Sequence, residues 1–443
     1  MPARGLDPFT RCCGFRTRVA LGVADAFALP GAHEFIEVRA REVCEREVPQ
    51  AVAAGPARVG RAREASPWNF VLDGRMAPAV DTGVMAGAGA TGMSAPALAL
   101  APKAGIGPVG WVRSPAFDST LIGGVLVLAL ATAAALQVNL SLFAPLLLLN
   151  TWALAFEHVI ATFTRLAFDT ESFRRHRFLV LGLPLALAPA VLGIARWFGT
   201  DALMTVYFYW QWFHYTRQSY GIERLYWRKA GGGDAGATLN AGLLYATAVW
   251  GLANRSAQGM PFFGQRLFWI PVPPAAVQAM GIAVAVILGA WVLARIQEYR
   301  QGRLRIAHTL FIGSHVVLFF VAYIVLAGVT PGWLVVNVWH NAQYLLIVWL
   351  FNANRFKAGV DPQHRFLSTL CQPSYVALYA VTLVAFSALV YVPIHLWLRG
   401  LVILNLPAAF VVYQIINFHH YTSDAVIWKL RRQPIRTQFG LAT

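Results

Sequence analysis

The 443-residue chain is 57% hydrophobic and only 13% charged, whereas an ordinary soluble domain carries about 25% charged residues. This composition excludes an ordinary soluble domain. The net charge is +16, but the arginines stand in short loops between apolar runs, where they act as topology signals and contact membrane lipids. We therefore expect no nucleic-acid partner.

Residues 1–110 differ from the rest of the chain. They are rich in Ala, Gly, Arg and Pro, as in "AVAAGPARVGRAREASP", and show neither a helical nor a strand period. They also lack the single apolar core and cleavage site of a signal peptide. We interpret them as a disordered tail or a non-native N-terminal extension, with the natural start at Met85 or Met93, that carries no chemistry.

Apolar runs of roughly 20 residues, the length that spans a bilayer, recur through residues 111–430. They predict an all-α, polytopic transmembrane bundle, since a β-barrel would alternate polar and apolar residues. About ten spans are expected, at 117–137, 140–163, 178–198, 201–220, 238–253, 275–296, 307–329, 332–352, 374–394 and 396–420. Residues 431–443 form a basic tail.

Basic residues concentrate in every second loop of this arrangement. They follow the second, fourth, sixth, eighth and tenth runs, as in Arg174, Arg228, Arg303, Arg355 and Arg432. Positively charged loops stay in the cytoplasm. The pattern therefore predicts that both termini are cytoplasmic, in a membrane that we expect to be a bacterial inner membrane.

Ten of the eleven histidines follow residue 150, and most lie at similar depth in the predicted spans. Polar side chains at membrane depth usually face the bundle interior and mark function. Neutral imidazole is also the commonest metal ligand in proteins. The predicted metal ligands are His158, His214, His315, His340, His419 and His420.

Carboxylate and amide side chains accompany these histidines at helical spacing. Asp424 follows His420 by one turn, Asn341 is adjacent to His340, and Asp169 follows His158 on the same face. Because ligating histidines usually donate their second N–H to such groups, we expect Asp424, Asp169 and Asn341 to orient ligands or complete the shell. Asp424 in particular would fix the tautomer of one imidazole.

Histidines with few carboxylates and no nearby cysteine favour non-haem iron, with copper and zinc as alternatives. One or two Fe²⁺ ions are expected. Haem is a further alternative, without covalent attachment because the chain has no C-x-x-C-H. The four cysteines, at 12, 13, 44 and 371, predict neither a disulfide framework nor a cysteine metal site.

The segment "FHHYTSD" and the single histidines on separate spans resemble histidine-ligated integral-membrane iron oxygenases, a group that includes Brp/Blh-type carotenoid dioxygenases and membrane desaturases and hydroxylases. The spread of single histidines is closer to the Brp/Blh type. The resemblance implies an oxidoreductase that uses O₂ on a lipophilic or lipid substrate. A cytoplasmic electron donor would dock on the basic loops.

Two other functions remain open. "NVWHNAQYLLIVW" is similar to a segment of the membrane-bound O-acyltransferases, in which His340 would act as a base. Alternatively, the His and Asp side chains would form the proton relay of a coupled transporter, although no inverted internal repeat is visible.

Overall fold

The computed structural model describes residues 105, 107, 109–233, 236–398, 400–403 and 406–441. The predictions for residues 1–110 therefore fall almost wholly outside the described residues. The described part is predominantly helical, which confirms the predicted all-α class.

Fourteen α-helices are found within the described ranges. They are α1 (Pro115–Ser119), α2 (Val125–Val138), α3 (Phe143–Asn150), α4 (Phe156–Leu166), α5 (Thr170–Arg177), α6 (Leu183–Lys229), α7 (Ala237–Gln258), α8 (Pro274–Arg300), α9 (Ile306–Phe320), α10 (Val329–Arg355), α11 (Arg365–Leu370), α12 (Val376–Leu398), α13 (Ala408–Ile427) and α14 (Gln433–Gln438).

Several helices are joined end to end through turns of a different helical pitch. Four are π turns, at Thr120–Gly124, Thr151–Ala155, Phe178–Gly182 and Val321–Val325. Three are 3₁₀ turns, at Leu140–Leu142, Pro362–His364 and Pro373–Tyr375. A π turn contains i→i+5 hydrogen bonds and often marks a functional site.

Seven continuous helical segments of the described part are long and apolar enough to cross a membrane. They are Pro115–Val138, Leu140–Leu166, Thr170–Lys229, Pro274–Arg300, Ile306–Val325, Val329–Arg355 and Pro373–Leu398. They indicate an integral membrane protein. The number of spans and the side of each terminus remain predictions.

The segment Thr170–Lys229 is 60 residues long, about twice the length of a single crossing. Gly199 interrupts it with φ 84° and ψ 175°, a conformation outside the helical region that glycine adopts without a Cβ penalty. The interruption falls between the predicted spans 178–198 and 201–220.

The last predicted span begins later than expected. Residues 396–398 complete α12, two short antiparallel strands follow, β1 (Val402–Ile403) and β2 (Leu406–Pro407), and α13 starts only at Ala408. Gly400 lies at φ 80° just before β1, which ends the preceding helix.

Helix α10 is the centre of the bundle. In its most apolar window 89% of residues are buried, against 50% or less in each of the other six candidate spans. It packs against α2 and α4, and α13 packs along α6. His340 lies near the middle of α10, so the other helices surround it.

Candidate metal centre

Four histidines from four different helices meet beside the middle of α10. His158 comes from α4, His214 from α6, His340 from α10 and His420 from α13, and each is 7% exposed or less. We call this group the histidine tetrad. Helices far apart in sequence thus supply one compact set of nitrogen ligands.

The rings of the tetrad form a closed circuit. Ring centroids lie 4.6 Å apart for His158 and His420, 4.9 Å for His420 and His214, 4.9 Å for His214 and His340, and 5.3 Å for His340 and His158. All four contacts are edge-to-face, with interplanar angles from 70° to 88°. Each ring thus presents an edge or a face to its two neighbours, and the four rings lie close together.

The orientation of His158 is set by a backbone carbonyl. Its Nδ1 lies 2.6 Å from the carbonyl oxygen of Ala155, the last residue of the Thr151–Ala155 π turn. A carbonyl can only accept, so Nδ1 carries the proton and Nε2 has a free lone pair.

The orientation of His420 is set by a hydroxyl. Its Nδ1 lies 2.9 Å from Thr162 Oγ1, which is 2.8 Å from the Tyr344 hydroxyl. Tyr344 donates to Asp424 Oδ1 at 2.7 Å. With the Thr162 proton directed to Tyr344, Thr162 accepts from Nδ1 of His420. This assignment, inferred from the partners, leaves Nε2 of His420 unprotonated.

The two free lone pairs face each other. Nε2 of His158 and Nε2 of His420 are 3.1 Å apart. Two nitrogens bound to one ion at about 2.1 Å each would be about 3–3.4 Å apart. Two facing lone pairs repel at this distance unless a cation lies between them, so the geometry fits a shared metal ion.

The other two rings have nitrogens without partners. Both ring nitrogens of His340 and Nε2 of His214 are buried and make no hydrogen bond. A buried polar atom without a partner costs about 1–3 kcal/mol. Metal coordination would satisfy one nitrogen on each ring, which is the arrangement expected of ligands.

Asp424 lies at the edge of the tetrad and is buried. Its Oδ2 is 3.7 Å from Nε2 of His420 and 3.9 Å from Nε2 of His214. Two sets of three residues each offer one potential ligand atom per residue, and within each set these atoms all lie within 4.8 Å of one another. The sets are His158–His340–His420 and His214–His420–Asp424. Asp424 thus offers Oδ2 as an additional ligand while Tyr344 holds Oδ1.

The predicted role of Asp424 as the partner that fixes an imidazole tautomer differs from this arrangement. Nδ1 of His420 is bonded to Thr162, and Asp424 faces the opposite nitrogen at a distance too long for a hydrogen bond. The reason is helical geometry, since the i+4 carboxylate lies on the Nε2 side of the ring.

Two predicted ligands point away from the tetrad. Nε2 of His419 is bonded to the carbonyl oxygen of Leu179 at 2.6 Å, and its ring stacks on Phe163. His315 is bonded to the carbonyl oxygen of Leu244 at 3.1 Å and stacks on Phe319. Each histidine is thus a buried side chain with its own partner.

Asp169 and Asn341, which were expected to orient the ligands, instead form hydrogen bonds with residues outside the tetrad. Asp169 caps α5 through the N–H of Ser172 at 2.7 Å and accepts from Arg355 at 2.8 Å. Burial raises the pKa of Asp169, but the hydrogen bonds from Arg355 and Ser172 outweigh it, so the pKa lies below its usual range. Asp169 therefore ties the start of α5 to the end of α10.

Asn341 belongs to an amide ladder beside the tetrad. It donates to Asn337 at 2.7 Å, and Asn337 donates to Tyr215 at 2.6 Å. The ring of Tyr215 lies 4.4 Å from that of His340. The ladder thus positions a ring against His340 without bonding to its nitrogens.

Thr162 and Tyr344 are functional candidates to which the sequence assigned no role. Each lies on the same helical face as a predicted ligand, since Thr162 follows His158 by four residues and Tyr344 follows His340 by four. Hydroxyl residues at this spacing are common in membrane helices. Only the packing shows that these two meet.

Comparison of the chain with protein-family models, with curated proteins and with solved structures gives no match.

Proposed function

We propose that this protein is an integral-membrane oxidoreductase that holds a non-haem metal ion, iron, in the histidine tetrad and uses O₂ to oxidise a lipophilic substrate. The observation that carries the proposal is the convergence of unprotonated and unpartnered nitrogens on four buried histidine rings, each from a different helix. Groups of this kind in the core of an apolar bundle are costly without a cation.

The donor set is compatible with iron. It consists of neutral imidazoles with one carboxylate, which suit non-haem iron, copper or zinc, and no thiolate from the described residues joins it. The two converging ligand sets share His420, which is simplest to reconcile with a single ion. Bound iron would supply the one-electron chemistry that O₂ activation needs.

The protein side chains would hold the centre and exclude water. The Ala155 carbonyl and Thr162 would keep the Nδ1 protons of His158 and His420 in place, so that Nε2 remains available. The apolar helices would present a lipophilic substrate to the centre from the membrane.

A proton relay is the second candidate function, and one observation favours it. Hydrogen bonds run from His420 through Thr162 and Tyr344 to Asp424, and a proton between the two facing Nε2 atoms would extend this chain to His158. Such a chain could move protons without any metal. Acyl transfer by His340 is less well supported, because other imidazoles and Tyr215 surround its ring.

The deciding experiment is the metal content of the detergent-purified protein, measured by mass spectrometry after expression in iron-replete medium. We expect near-stoichiometric iron in the parent and its loss in His420→Ala and His340→Ala. His419→Ala is the matched control, since His419 is adjacent to His420 but bonds to Leu179. It should retain the iron.

Absence of bound metal, with reconstitution also failing, would overturn the oxidoreductase proposal and leave the proton relay. Equal metal loss in the His419 and His420 variants would show that the tetrad is not the site. With iron established, oxygen uptake on addition of lipophilic substrates tests the reaction itself.

A further inference from the structure

Two aromatic side chains join the histidine tetrad to the end of the bundle that carries the basic segment 429–432. The indole N–H of Trp428 donates to the Tyr344 hydroxyl oxygen at 3.2 Å. The ring of Tyr344 lies 5.4 Å from that of His420 and 5.6 Å from that of His158. Trp428 is only partly buried, and Arg431 and Arg432, just after it, are exposed.

The hydrogen bonds in this chain all point the same way. Trp428 donates to Tyr344, and Tyr344 donates to Asp424 Oδ1 at 2.7 Å. Each aromatic residue can therefore give up its proton inward as it loses an electron inward. Loss of both together avoids a charged radical in a low-dielectric interior.

Arg165 makes this coupling necessary. Its guanidinium lies 4.3 Å from the centroid of the Trp428 ring. A cation over an indole stabilises the neutral ring and opposes a radical cation. Trp428 can be oxidised here only if its N–H proton leaves with the electron, and the Tyr344 oxygen is positioned to receive it.

We propose that Tyr344 and Trp428 form an escape route that carries oxidising equivalents from the metal centre to the protein surface when no substrate is present. The inference rests on the proposed metal centre. The oxidant is hydrogen peroxide, whose reduction to two water molecules takes two protons from solvent and two electrons that iron held in the tetrad would supply. The route would return these electrons one at a time.

The route has two steps. Tyr344 gives one electron to the oxidised centre and its phenolic proton to Asp424, and becomes a neutral phenoxyl radical. Trp428 then transfers a hydrogen atom, its N–H proton with one electron, to the phenoxyl oxygen. Tyr344 is restored, and the neutral indolyl radical lies where a soluble reductant such as ascorbate can reach it.

A second aromatic chain provides the comparison. Tyr421 lies 4.7 Å from His214, and partly buried Trp210 lies 6.0 Å from Tyr421. The buried Tyr421 hydroxyl faces the Tyr207 hydroxyl. This chain has similar ring spacing, but a phenol is a far weaker proton acceptor than the Asp424 carboxylate, so the chain should not carry the radical.

The test uses the iron-loaded full chain in detergent, mixed with hydrogen peroxide and frozen at intervals for electron paramagnetic resonance. Iron content is measured first in every variant. We expect an organic radical in the parent that requires iron and is absent in Tyr344→Phe. In Trp428→Phe the tyrosyl signal should decay severalfold more slowly, and mass spectrometry should find more oxidised His158 and His420.

Trp210→Phe should match the parent in both measurements. Equal radical decay in the Trp428 and Trp210 variants would overturn the route, as would a radical that survives Tyr344→Phe. Iron bound without any tyrosyl radical would overturn the route but leave the metal centre standing. No bound iron would overturn both.

Discussion

At the scale of single residues, the tetrad depends on which atom accepts each Nδ1 proton. The Ala155 carbonyl fixes His158 through a main-chain atom, whereas Thr162 fixes His420 through a side chain that can be replaced. Thr162 is buried and also contacts Tyr344. Replacement of Thr162 therefore tests whether this hydrogen bond fixes the tautomer of His420.

Thr162→Val keeps the shape of the side chain and removes the acceptor for Nδ1 of His420. We expect iron affinity to fall about 10–100-fold, as for other partners of ligating histidines. Thr162→Ser, which keeps the hydroxyl, should retain most of the affinity. Competition with a chromophoric chelator measures both. Unchanged affinity in the valine variant would show that Thr162 does not orient the ligand.

Asp169 gives a pH-dependent prediction away from the tetrad. Its pKa lies below the ordinary value of 3.8 because Arg355 and Ser172 bond the carboxylate. A carboxyl group whose pKa is lowered by folding stabilises the fold fully at pH values above its ordinary, unfolded pKa. This stabilisation is lost as the pH falls through the lower pKa of the folded state.

Asp169→Asn keeps the helix cap and removes the charge facing Arg355. We expect it to lower stability by about 1 kcal/mol at neutral pH, with the difference shrinking as pH falls below the ordinary carboxyl value of 3.8. Thermal unfolding in detergent at neutral and at acidic pH measures this. Glu171→Gln, which removes an exposed pair with Arg175, should change little. If the effect of Asp169→Asn on stability did not change with pH, the charge of Asp169 would not be what stabilises the fold.

At the scale of helical elements, irregular turns supply carbonyl acceptors to buried side chains. The Thr151–Ala155 turn serves His158. In the Phe178–Gly182 turn the carbonyl of Leu179 is free because the residue five positions later, Pro184, has no N–H, and His419 occupies it. A carbonyl of one turn therefore orients His158, and a carbonyl of the other holds His419, the neighbour of His420, away from the tetrad.

Deletion of Ala153 tests the first of these turns. A π turn is an α-helix with one extra residue, so removing this exposed alanine should restore a regular helix without disturbing the flanks. The deletion would change the backbone that carries the Ala155 carbonyl, the acceptor for Nδ1 of His158, and iron affinity should fall at least about tenfold.

Deletion of Gly123 is the control for that measurement. It shortens the Thr120–Gly124 turn, which contains neither a tetrad histidine nor a partner of one, and should leave iron affinity unchanged. Equal affinities in both deletion variants, with helical content retained, would mean that the turn does not orient His158.

At the scale of the whole molecule, the number of membrane spans depends on whether the chain reverses direction at Gly199. A reversal there would divide the segment Thr170–Lys229 into two crossings and place residue 200 on the opposite side of the membrane from α5. If α7 and α13 cross as well, the basic loops all lie on one side, as the arginine pattern predicts.

Single cysteines at Thr200 and Arg174 test this arrangement in a background with the four native cysteines replaced. Arg174 is exposed and Thr200 partly exposed. In sealed vesicles of known orientation, a membrane-impermeant maleimide should label only one of the two from a given side. Labelling of both from the same side would rule out a reversal at Gly199.

The sequence by itself determined the helical class, the membrane character and the approximate position of most helices. These are local properties, because hydrophobicity over 20 residues and the spacing of arginines need no knowledge of packing. It also placed the histidines at a common depth. The late start of α13 was missed, since residues 402–407 are as apolar as the helices on either side.

Only the tertiary structure decided which histidines meet. His419 and His420 are neighbours in the chain, yet consecutive helical residues differ by about 100° around the axis, so one faces Leu179 and the other His158. The rotation of α13 is set by its packing against α6, and the sequence of α13 does not contain it. For the same physical reason Thr162 and Tyr344 could be placed on their helices but not recognised as partners.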